Sequence, residues 1–178
     1  MSFEFRPCEL EMDYEAYMKF LLRYQEELNL PYSFAMKLSF IGSPLLFGKA
    51  MLIFNDDPYE IVGAAGFVYG TGANNYEDRH VCQIEIAFLR KEYRGTLLFQ
   101  RGLQALTALM KSGEPAIEQV QFWVSADQEG LGRLFSKFLD LPDSTQQAVN
   151  QLSFYRFSFH ELEAYVRKIS KLPVGLGE

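Results

Sequence analysis

The segment from Glu92 to Gly102, EYRGTLLFQRG, places an arginine and a glycine between a strand-like run and a helical pattern. Backbone amides at the start of a helix, with a guanidinium beside them, form a good site for phosphate and other anions. The segment therefore predicts an anion site around Arg94 and Gly95. Leu97 and Phe99 are large residues for a loop that must approach a ligand closely, where small residues are favoured.

Arg94 also has a simpler interpretation as a surface residue. It could form a salt bridge with Glu92, and exposed pairs of this kind contribute little to stability. Arg90 and Lys91 add positive charge next to it in an otherwise acidic chain. This local charge favours the anion site over the salt bridge.

Glu85 is the residue best suited to acid–base chemistry. It lies between two isoleucines in a strand-like run, Val81–Leu89, and a carboxylate buried there would have the raised pKa that a general base requires. Alternation along the strand predicts that its side chain shares a face with Ala87 and Leu89. Gln83, on the same face, could orient a substrate or a water. The alternatives are that Glu85 pairs with a basic residue across the sheet and that Gln83 is an ordinary polar strand residue.

For the other potentially reactive side chains, the sequence favours structural roles over catalytic ones. Tyr155, near the C-terminus, is a candidate proton donor, although tyrosine is also common in aromatic cores. Cys8 and Cys82 are isolated, so we expect reduced thiols rather than a disulfide, and for Cys82 a buried thiol rather than a nucleophile. His80 and His160 show no ligand spacing, and we expect no bound metal.

Composition limits the kind of protein further. The chain has 178 residues, of which 48% are hydrophobic, with 16 Phe and 10 Tyr, enough for one well-buried core. Its net charge of −6 argues against nucleic acid or an anionic membrane as a partner. We find no apolar run of the ~20 residues needed to cross a bilayer and no secretory signal, so we expect a cytoplasmic protein.

The elements that must position these residues follow from apolar periodicity. Alternating or compact apolar runs predict strands at 3–7, 51–54, 61–69, 81–89, 120–124 and 152–159. Helical spacing predicts a helix capped by Asp13, a short helix within 33–50, and helices over 96–111, around 131–138 and after Ser158. The small residues Gly63–Gly66 indicate close packing against one strand. A mixed sheet with helices on both faces accommodates this order.

Two segments carry a family resemblance. Leu89–Gly95, LRKEYRG, resembles the V-x-P-x-Y-R-G that ends the fourth strand in the GNAT superfamily of acyl-CoA N-acyltransferases, and Arg133–Lys137, RLFSK, is similar to the family's R-L-Y-x-K. The resemblance implies an α/β fold with a mixed, largely antiparallel twisted sheet of six or seven strands, helices on both faces and a splayed central cleft. Residues 1–170 would form a single GNAT-like acyltransferase domain, followed by a loose C-terminal tail at 171–178.

The resemblance also implies a co-substrate, acetyl-CoA or another acyl-CoA, in the cleft between the fourth and fifth strands. Its pantetheine would pair with the backbone near Ala87 and Leu89. Gln128 stands where many members carry an asparagine and would also contact the cofactor. The pyrophosphate would bind beside Arg94, at the amides of Gly95, Thr96, Leu97, Leu98 and Phe99.

Departures from the family pattern leave two functions open. Leu97 and Phe99 replace the last two glycines of R-G-x-G-x-G, and Phe135 replaces a tyrosine thought to protonate the CoA thiolate. On one hypothesis the chain is an N-acyltransferase, with Glu85 as base and Tyr155 as substitute acid, acting on a small-molecule or peptide amine. On the other it is a catalytically inactive GNAT-like binding or regulatory module. An exposed aromatic final strand would also suit a homodimer.

Overall fold

The fold is built on one mixed sheet of seven strands in the order β1–β2–β3–β4–β5–β7–β6. The structure is a computed structural model that describes residues 2–28, 30–95, 97–113, 116–125, 145–149 and 152–171. Neighbouring strands are antiparallel except for β4 and β5, which are parallel. The strands are β1 Phe3–Pro7, β2 Gly48–Asp56, β3 Tyr59–Tyr69, β4 Val81–Leu89, β5 Gln119–Ser125, β6 Thr145–Val149 and β7 Leu152–Ser158. The predicted α/β fold with a largely antiparallel sheet is confirmed.

Helices cover both faces of this sheet, as predicted. The described helices are α1 Glu11–Arg23, α2 Phe34–Phe47, α3 Leu97–Lys111 and α4 Phe159–Ser170. Tyr17 and Leu21 of α1 pack with Ile41 of α2 in one apolar core. Leu106 of α3 and Leu162 of α4 belong to the core on the opposite side. We call these sides the α1/α2 face and the α3/α4 face.

Helix α2 is longer than the short helix that the sequence predicted. Gly42 and Pro44 suggested a break, but the helix runs through both for 14 residues. Ser33 caps its start by accepting a hydrogen bond from the Met36 amide at 3.4 Å. Pro44 is buried against Gly66 of β3, where an added Cβ would lie 2.7 Å from the proline ring. Packing on the sheet therefore outweighs the low helix propensity of these residues, and the predicted close approach at Gly63–Gly66 is confirmed.

Other local expectations need correction. Asp13 is not the N-cap of α1, which begins at Glu11, although its carboxylate accepts hydrogen bonds from the Glu9 and Leu10 amides at 3.2 and 3.1 Å. Strand β6 was not predicted, because its sequence, TQQAV, lacks an alternating apolar pattern. Cys8 and Cys82 are free, buried thiols, as expected.

Several predictions lie outside the described residues. They are the helix around 131–138 with Phe135 and the segment Arg133–Lys137, the cofactor contacts of Thr96 and Gln128, and the tail beyond Lys171. In the part of the chain that the structure describes, no helix has both the length and the apolar character needed to span a bilayer.

Candidate functional site

The sheet opens between its two parallel strands. Strands β4 and β5 pair from Val81 opposite Gln119 to Ile84 opposite Phe122. Beyond that point β4 continues beside β3 to Leu89, and β5 continues beside β7 to Ser125. The facing edges of the two strands separate there, which confirms the predicted central cleft.

A β-bulge lies at Glu85, at the mouth of this opening. Gly66 of β3 is opposite Ile86 and Phe67 is opposite Ile84, so Glu85 is the extra residue on β4. A bulge changes the alternation of side chains along a strand and re-aims the residue at the irregularity. It therefore alters which side chains share a face with Glu85.

The predicted shared face of Glu85, Ala87 and Leu89 is wrong because of this bulge. Leu89 packs against the core of the α3/α4 face, whereas Ile86 belongs to the core of the α1/α2 face. The Glu85 carboxylate accepts a hydrogen bond from Gln83 at 3.3 Å. Burial is the main cause of the raised pKa of Tyr32, two residues before α2, and the charge of Glu85 is the second cause. Glu85 therefore points to the α1/α2 face.

Burial gives Glu85 the titration behaviour of a base near neutral pH. Desolvation of the carboxylate raises its pKa from 4.5 to about 7, and the hydrogen bond from Gln83 opposes this rise in part. Among the residues that the structure describes, the hydrogen-bond partner of Glu85 is the neutral amide of Gln83 and not a basic residue, which differs from the alternative of a pair across the sheet. At neutral pH the carboxyl group is poised between its two protonation states.

A line of hydrogen-bonded polar side chains connects Glu85 on β4 to Arg156 on β7. Gln83 accepts a hydrogen bond from Gln121 of β5 at 2.7 Å. Gln121 in turn accepts from the Arg156 guanidinium of β7, at 2.9 Å from Nη2 and 3.3 Å from Nε. The line crosses three neighbouring strands and ends on a cation. Gln83 is thus more than an ordinary polar strand residue, because it joins Glu85 to this line.

The edge of β4 at the opening presents backbone groups. The Arg90 amide donates to Val62 of β3 at 2.8 Å, so alternation turns the peptide groups of Leu89 and Ala87 the other way, toward the opening. Arg94 Nε donates to the Leu89 carbonyl at 2.8 Å. Arg90, rather than Arg94, pairs with Glu92, at 3.2 Å. The alternative in which Arg94 pairs with Glu92 is therefore not the observed arrangement, and Arg94 folds back over the end of β4.

The turn after Arg94 leads directly into α3. Gly95 has a φ of +73°, a left-handed conformation that favours glycine over any other residue. The Leu97 side chain is 55% exposed and therefore does not fill the core, whereas Leu98 is 2% exposed and packs in the α3/α4 core. Phe99 is half-buried. Leu97 and Phe99 belong to the first turn of α3.

Tyr155 is not brought together with Glu85. Its ring is buried in the core of the α3/α4 face and stacks on Phe122, with ring centroids 5.2 Å apart. Glu85 lies on the other side of the sheet. The described contacts of Tyr155 support the alternative that it is an aromatic core residue.

A narrow cleft lies beside Glu85. Tyr32 and Phe40 line it from the α1/α2 side, and Trp123 lines it from β5. The sequence assigned no site role to these aromatic residues individually. Their contribution depends on the divergence of β4 and β5, which apolar periodicity does not reveal.

Comparison with known proteins supports the same architecture. No protein-family model matches the sequence, and no curated protein matches it significantly. Solved structures of acetyltransferases do match the fold. One is an acetyltransferase of the GNAT family from Staphylococcus aureus Mu50, with 15% identity, a TM-score of 0.61, and coverage of 89% of this chain and 99% of that chain.

Two further structures show the same likeness. Ard1 from Thermoplasma volcanium is 12% identical with a TM-score of 0.62, covering 89% of this chain and 98% of its own. RimL, a ribosomal-protein α-N-acetyltransferase in complex with coenzyme A, is 15% identical with a TM-score of 0.57, covering 89% and 94%. Combined with the opening between β4 and β5, these likenesses show that this chain has the GNAT fold.

Proposed function

We propose that the protein is an acyl-CoA-dependent N-acyltransferase that moves an acyl group, in the simplest case acetyl, from coenzyme A to an amine. The observation that carries this proposal is the half-buried carboxylate of Glu85, whose pKa burial raises to about 7, at the opening between β4 and β5. The GNAT fold, and the coenzyme A bound to the similar RimL structure, support acyl-CoA as the donor.

In the proposed complex the donor lies along the open edge of β4. Its pantetheine pairs with the peptide groups of Ala87 and Leu89, which face the opening. Its pyrophosphate binds beside Arg94, at Gly95, Thr96 and the first turn of α3, with Gln128 as a further contact. A guanidinium is suited to phosphate because it offers several donors in one plane.

The chemistry is a direct transfer without a covalent enzyme intermediate. Glu85 takes a proton from the ammonium group of the acceptor, directly or through a water, and the free amine attacks the thioester carbonyl. Backbone N–H groups near Leu89 stabilise the negative charge on the carbonyl oxygen. The C–S bond then breaks, the second amine proton is released, and the CoA thiolate is protonated to the thiol.

Binding and turnover test this proposal separately. Acetyl-CoA titrated calorimetrically should bind, and Arg94→Ala should weaken the affinity at least about tenfold, the value of one charge-assisted hydrogen bond. Arg101→Ala, an exposed arginine later in α3, is the matched control and should leave the affinity unchanged. Release of CoA thiol with a mixture of primary amines reports turnover. Glu85→Gln should lower that rate by about 10² to 10⁴ while the acetyl-CoA affinity is kept.

One observation favours the second candidate, an inactive module of the same fold. The loop carries Leu97 and Phe99 in place of two glycines of the GNAT pattern, which reduces the room beside the backbone. If acetyl-CoA fails to bind at millimolar concentration, the transferase proposal is wrong and the module is favoured. If binding occurs but Glu85→Gln leaves turnover unchanged, Glu85 is not the base.

A further inference from the structure

The hydroxyl of Tyr17, in the middle of α1, lies inside the core of the α1/α2 face. The residue is 0% exposed, and its hydroxyl oxygen has no hydrogen-bond partner among the described residues. A buried polar group without a partner lowers stability, and nearly all such groups in proteins are paired. An exception of this kind requires an explanation, and a role in a functional site is one.

Tyr17 reaches the sheet at the bulge that contains Glu85. A Cβ built on Gly66 of β3 would lie 2.8 Å from the Tyr17 hydroxyl oxygen, so the hydroxyl lies over this glycine. Gly66 pairs with Ile86 of β4, and Glu85 is the extra residue beside that pair. Neighbouring strands are about 4.8 Å apart. The hydroxyl therefore lies roughly one strand spacing from the backbone of the bulge.

Glu85 and Tyr17 lie on the same face of the sheet. Glu85 lines the narrow cleft together with Tyr32, which precedes α2, and Ile86 packs in the same core as Tyr17. Burial is the main cause of the raised pKa of the Tyr17 phenol, and the charges of Cys8 and Glu85 are further causes. The carboxylate and the hydroxyl are thus neighbours at the bulge.

The Glu85 carboxylate has the capacity for a further hydrogen bond. An ionised carboxylate offers about four acceptor sites on its two oxygens, and the described bond, from Gln83 at 3.3 Å, reaches Oε1. Rotation about the side-chain bonds of glutamate moves the carboxylate between rotamers, whereas the Tyr17 ring is enclosed by its core. A bond between the two groups would satisfy a buried donor and a half-buried charge together.

From this arrangement we infer that Tyr17 is a positioning residue for Glu85, and that its hydroxyl donates a hydrogen bond to the ionised carboxylate at the bulge. A hydrogen bond to the charged form of an acid favours that form. Tyr17 therefore offsets part of the effect of burial on Glu85 and fixes the direction of the carboxylate. The inference deepens the proposed function and rests on it, because it concerns the base of that reaction.

The other described titratable groups around Glu85 are placed differently. Tyr32 faces Glu85 from the cleft and is only half-buried. Cys82 packs in the core on the opposite face, and Lys37 of α2 donates to a glutamine that follows α1. Arg156 reaches Glu85 only through two glutamines. Among the described residues, the fully buried hydroxyl beside the bulge is that of Tyr17.

Titration of Glu85 followed by NMR tests the inference without turnover. The protein is labelled with carbon-13 at the glutamate side-chain carboxyl, and the signal that is missing from Glu85→Gln identifies Glu85. We expect a midpoint of about 7 in wild type. In Tyr17→Phe the midpoint should be higher by about 1 unit, the value of one hydrogen bond to a charged group. An unchanged midpoint would overturn the inference.

Tyr24→Phe is the matched control. Tyr24 follows the last residue of α1, and its ring packs on Phe20 and Phe88 of the same core. The substitution removes a hydroxyl from that core at a distance from the bulge, so the Glu85 midpoint should equal that of wild type. An equal rise in Tyr24→Phe and Tyr17→Phe would show a general effect of core hydroxyls and overturn the inference.

The pH dependence of stability separates this role from a purely structural one. If the Tyr17 hydroxyl has no partner in any state, Tyr17→Phe should change stability equally at pH 5 and pH 8. With the inferred bond, the folded variant keeps the Glu85 proton to a higher pH than folded wild type does. Urea unfolding should therefore show the variant losing stability relative to wild type as pH rises. A constant difference between the two would contradict the inference.

Wild-type protein decides the matter if Tyr17→Phe does not fold. A hydroxyl proton held by a carboxylate and shut off from solvent exchanges slowly and resonates downfield of the amide region. Such a signal should be present above the Glu85 midpoint, and it should be absent from Glu85→Gln. A wild-type spectrum without this signal at high pH would count against the bond.

Turnover distinguishes the inference from the proposed function. The pH midpoint of kcat/KM should rise in Tyr17→Phe by the same amount as the NMR midpoint. If acetyl-CoA does not bind, the proposed function is wrong, and the NMR titration still tests the hydrogen bond. If Glu85→Gln impairs turnover but Tyr17→Phe moves neither midpoint, the inference is wrong and the transferase stands.

Discussion

Glu85 combines an ionisable group with an enclosed position, and this combination is the basis of its proposed role. A carboxylate on a regular strand would face either solvent or an apolar core. Glu85 instead lines a narrow cleft at the bulge, which moves Leu89 to the other face of the sheet, and burial raises the pKa of Glu85 to about 7. At the scale of one residue, the consequence is a stability that depends on pH.

Stability should fall between pH ~4.5 and 7 because of Glu85. Its folded-state pKa lies above the ordinary value of 4.5, so within this window the folded chain holds a proton that the unfolded chain has released. The free energy of unfolding therefore decreases as pH rises, by on the order of 3 kcal/mol for this one group. Glu85→Gln should remove that part of the decline and make the protein more stable than wild type at pH 8.

Urea unfolding at pH 5, 6, 7 and 8 measures this effect. Glu92→Gln is the control, because Glu92 is exposed and its pKa is lowered, with the hydrogen bond to its own backbone as the main cause. That variant should keep the wild-type decline. Parallel curves for wild type and Glu85→Gln would show that Glu85 does not titrate with a raised pKa.

At the scale of elements, the sheet connects Glu85 to residues that are distant in the sequence. The line from Gln83 through Gln121 to Arg156 requires β4, β5 and β7 to be neighbours with the observed register. Each side chain holds the next one in place, so Gln83 is positioned by residues on two other strands. We regard Gln83 as a positioning residue for Glu85.

Gln83→Leu should shift the pH dependence of kcat/KM upward. The Gln83 hydrogen bond lowers the Glu85 pKa, opposing the effect of burial. Its loss should therefore move the pH midpoint up by about 1 unit, the value of one hydrogen bond to a charged group. A purely structural role would lower stability without moving the midpoint. Gln119→Leu, on the same strand as Gln121, should keep the wild-type profile.

Alanine substitutions at Gly66 and Gly42 test how closely α2 packs on the sheet. An added Cβ at Gly66 would lie 2.7 Å from Pro44 and 2.8 Å from the Tyr17 hydroxyl, so Gly66→Ala should cost about 1 to 3 kcal/mol. At Gly42, within α2, nothing lies within 4 Å of the added atom, and Gly42→Ala should stabilise by up to about 1 kcal/mol. Denaturant unfolding of both variants measures the difference. Equal effects would mean that Gly66 does not hold the close contact.

At the scale of the whole molecule, the two cores meet the opening from opposite sides. The α1/α2 face supplies the cleft with Glu85, and the α3/α4 face lies under the turn at Gly95 and the start of α3. Only the short parallel ladder from Val81 to Ile84 joins β4 to β5 directly. A ligand bound along the opening would contact both strands beyond that ladder and stabilise the folded chain.

Acetyl-CoA should therefore raise the thermal stability of the protein. At a ligand concentration of 100 Kd, binding to the folded state alone adds about 2.7 kcal/mol. Differential scanning fluorimetry should show a melting temperature that increases with ligand concentration in wild type and in Arg101→Ala. Arg94→Ala should show a much smaller shift at the same concentration, and an equal shift would remove Arg94 from the binding site.

The sequence by itself determined the class of fold. Local pattern was sufficient to predict the strand Val81–Leu89, the helix after it and the turn at LRKEYRG. Each of these features depends on residues that are neighbours in the sequence. The buried thiol of Cys82 was also predictable, since apolar surroundings are encoded locally.

Only the tertiary structure decided how the site is assembled. The bulge at Glu85 arises from the register between β3 and β4. It places Leu89 on the face opposite to the one that alternation had assigned. The polar line to Arg156 and the aromatic cleft with Trp123 join residues from separate strands and helices. Such contacts depend on which strands are neighbours and where they diverge, and a one-dimensional pattern carries no information about either.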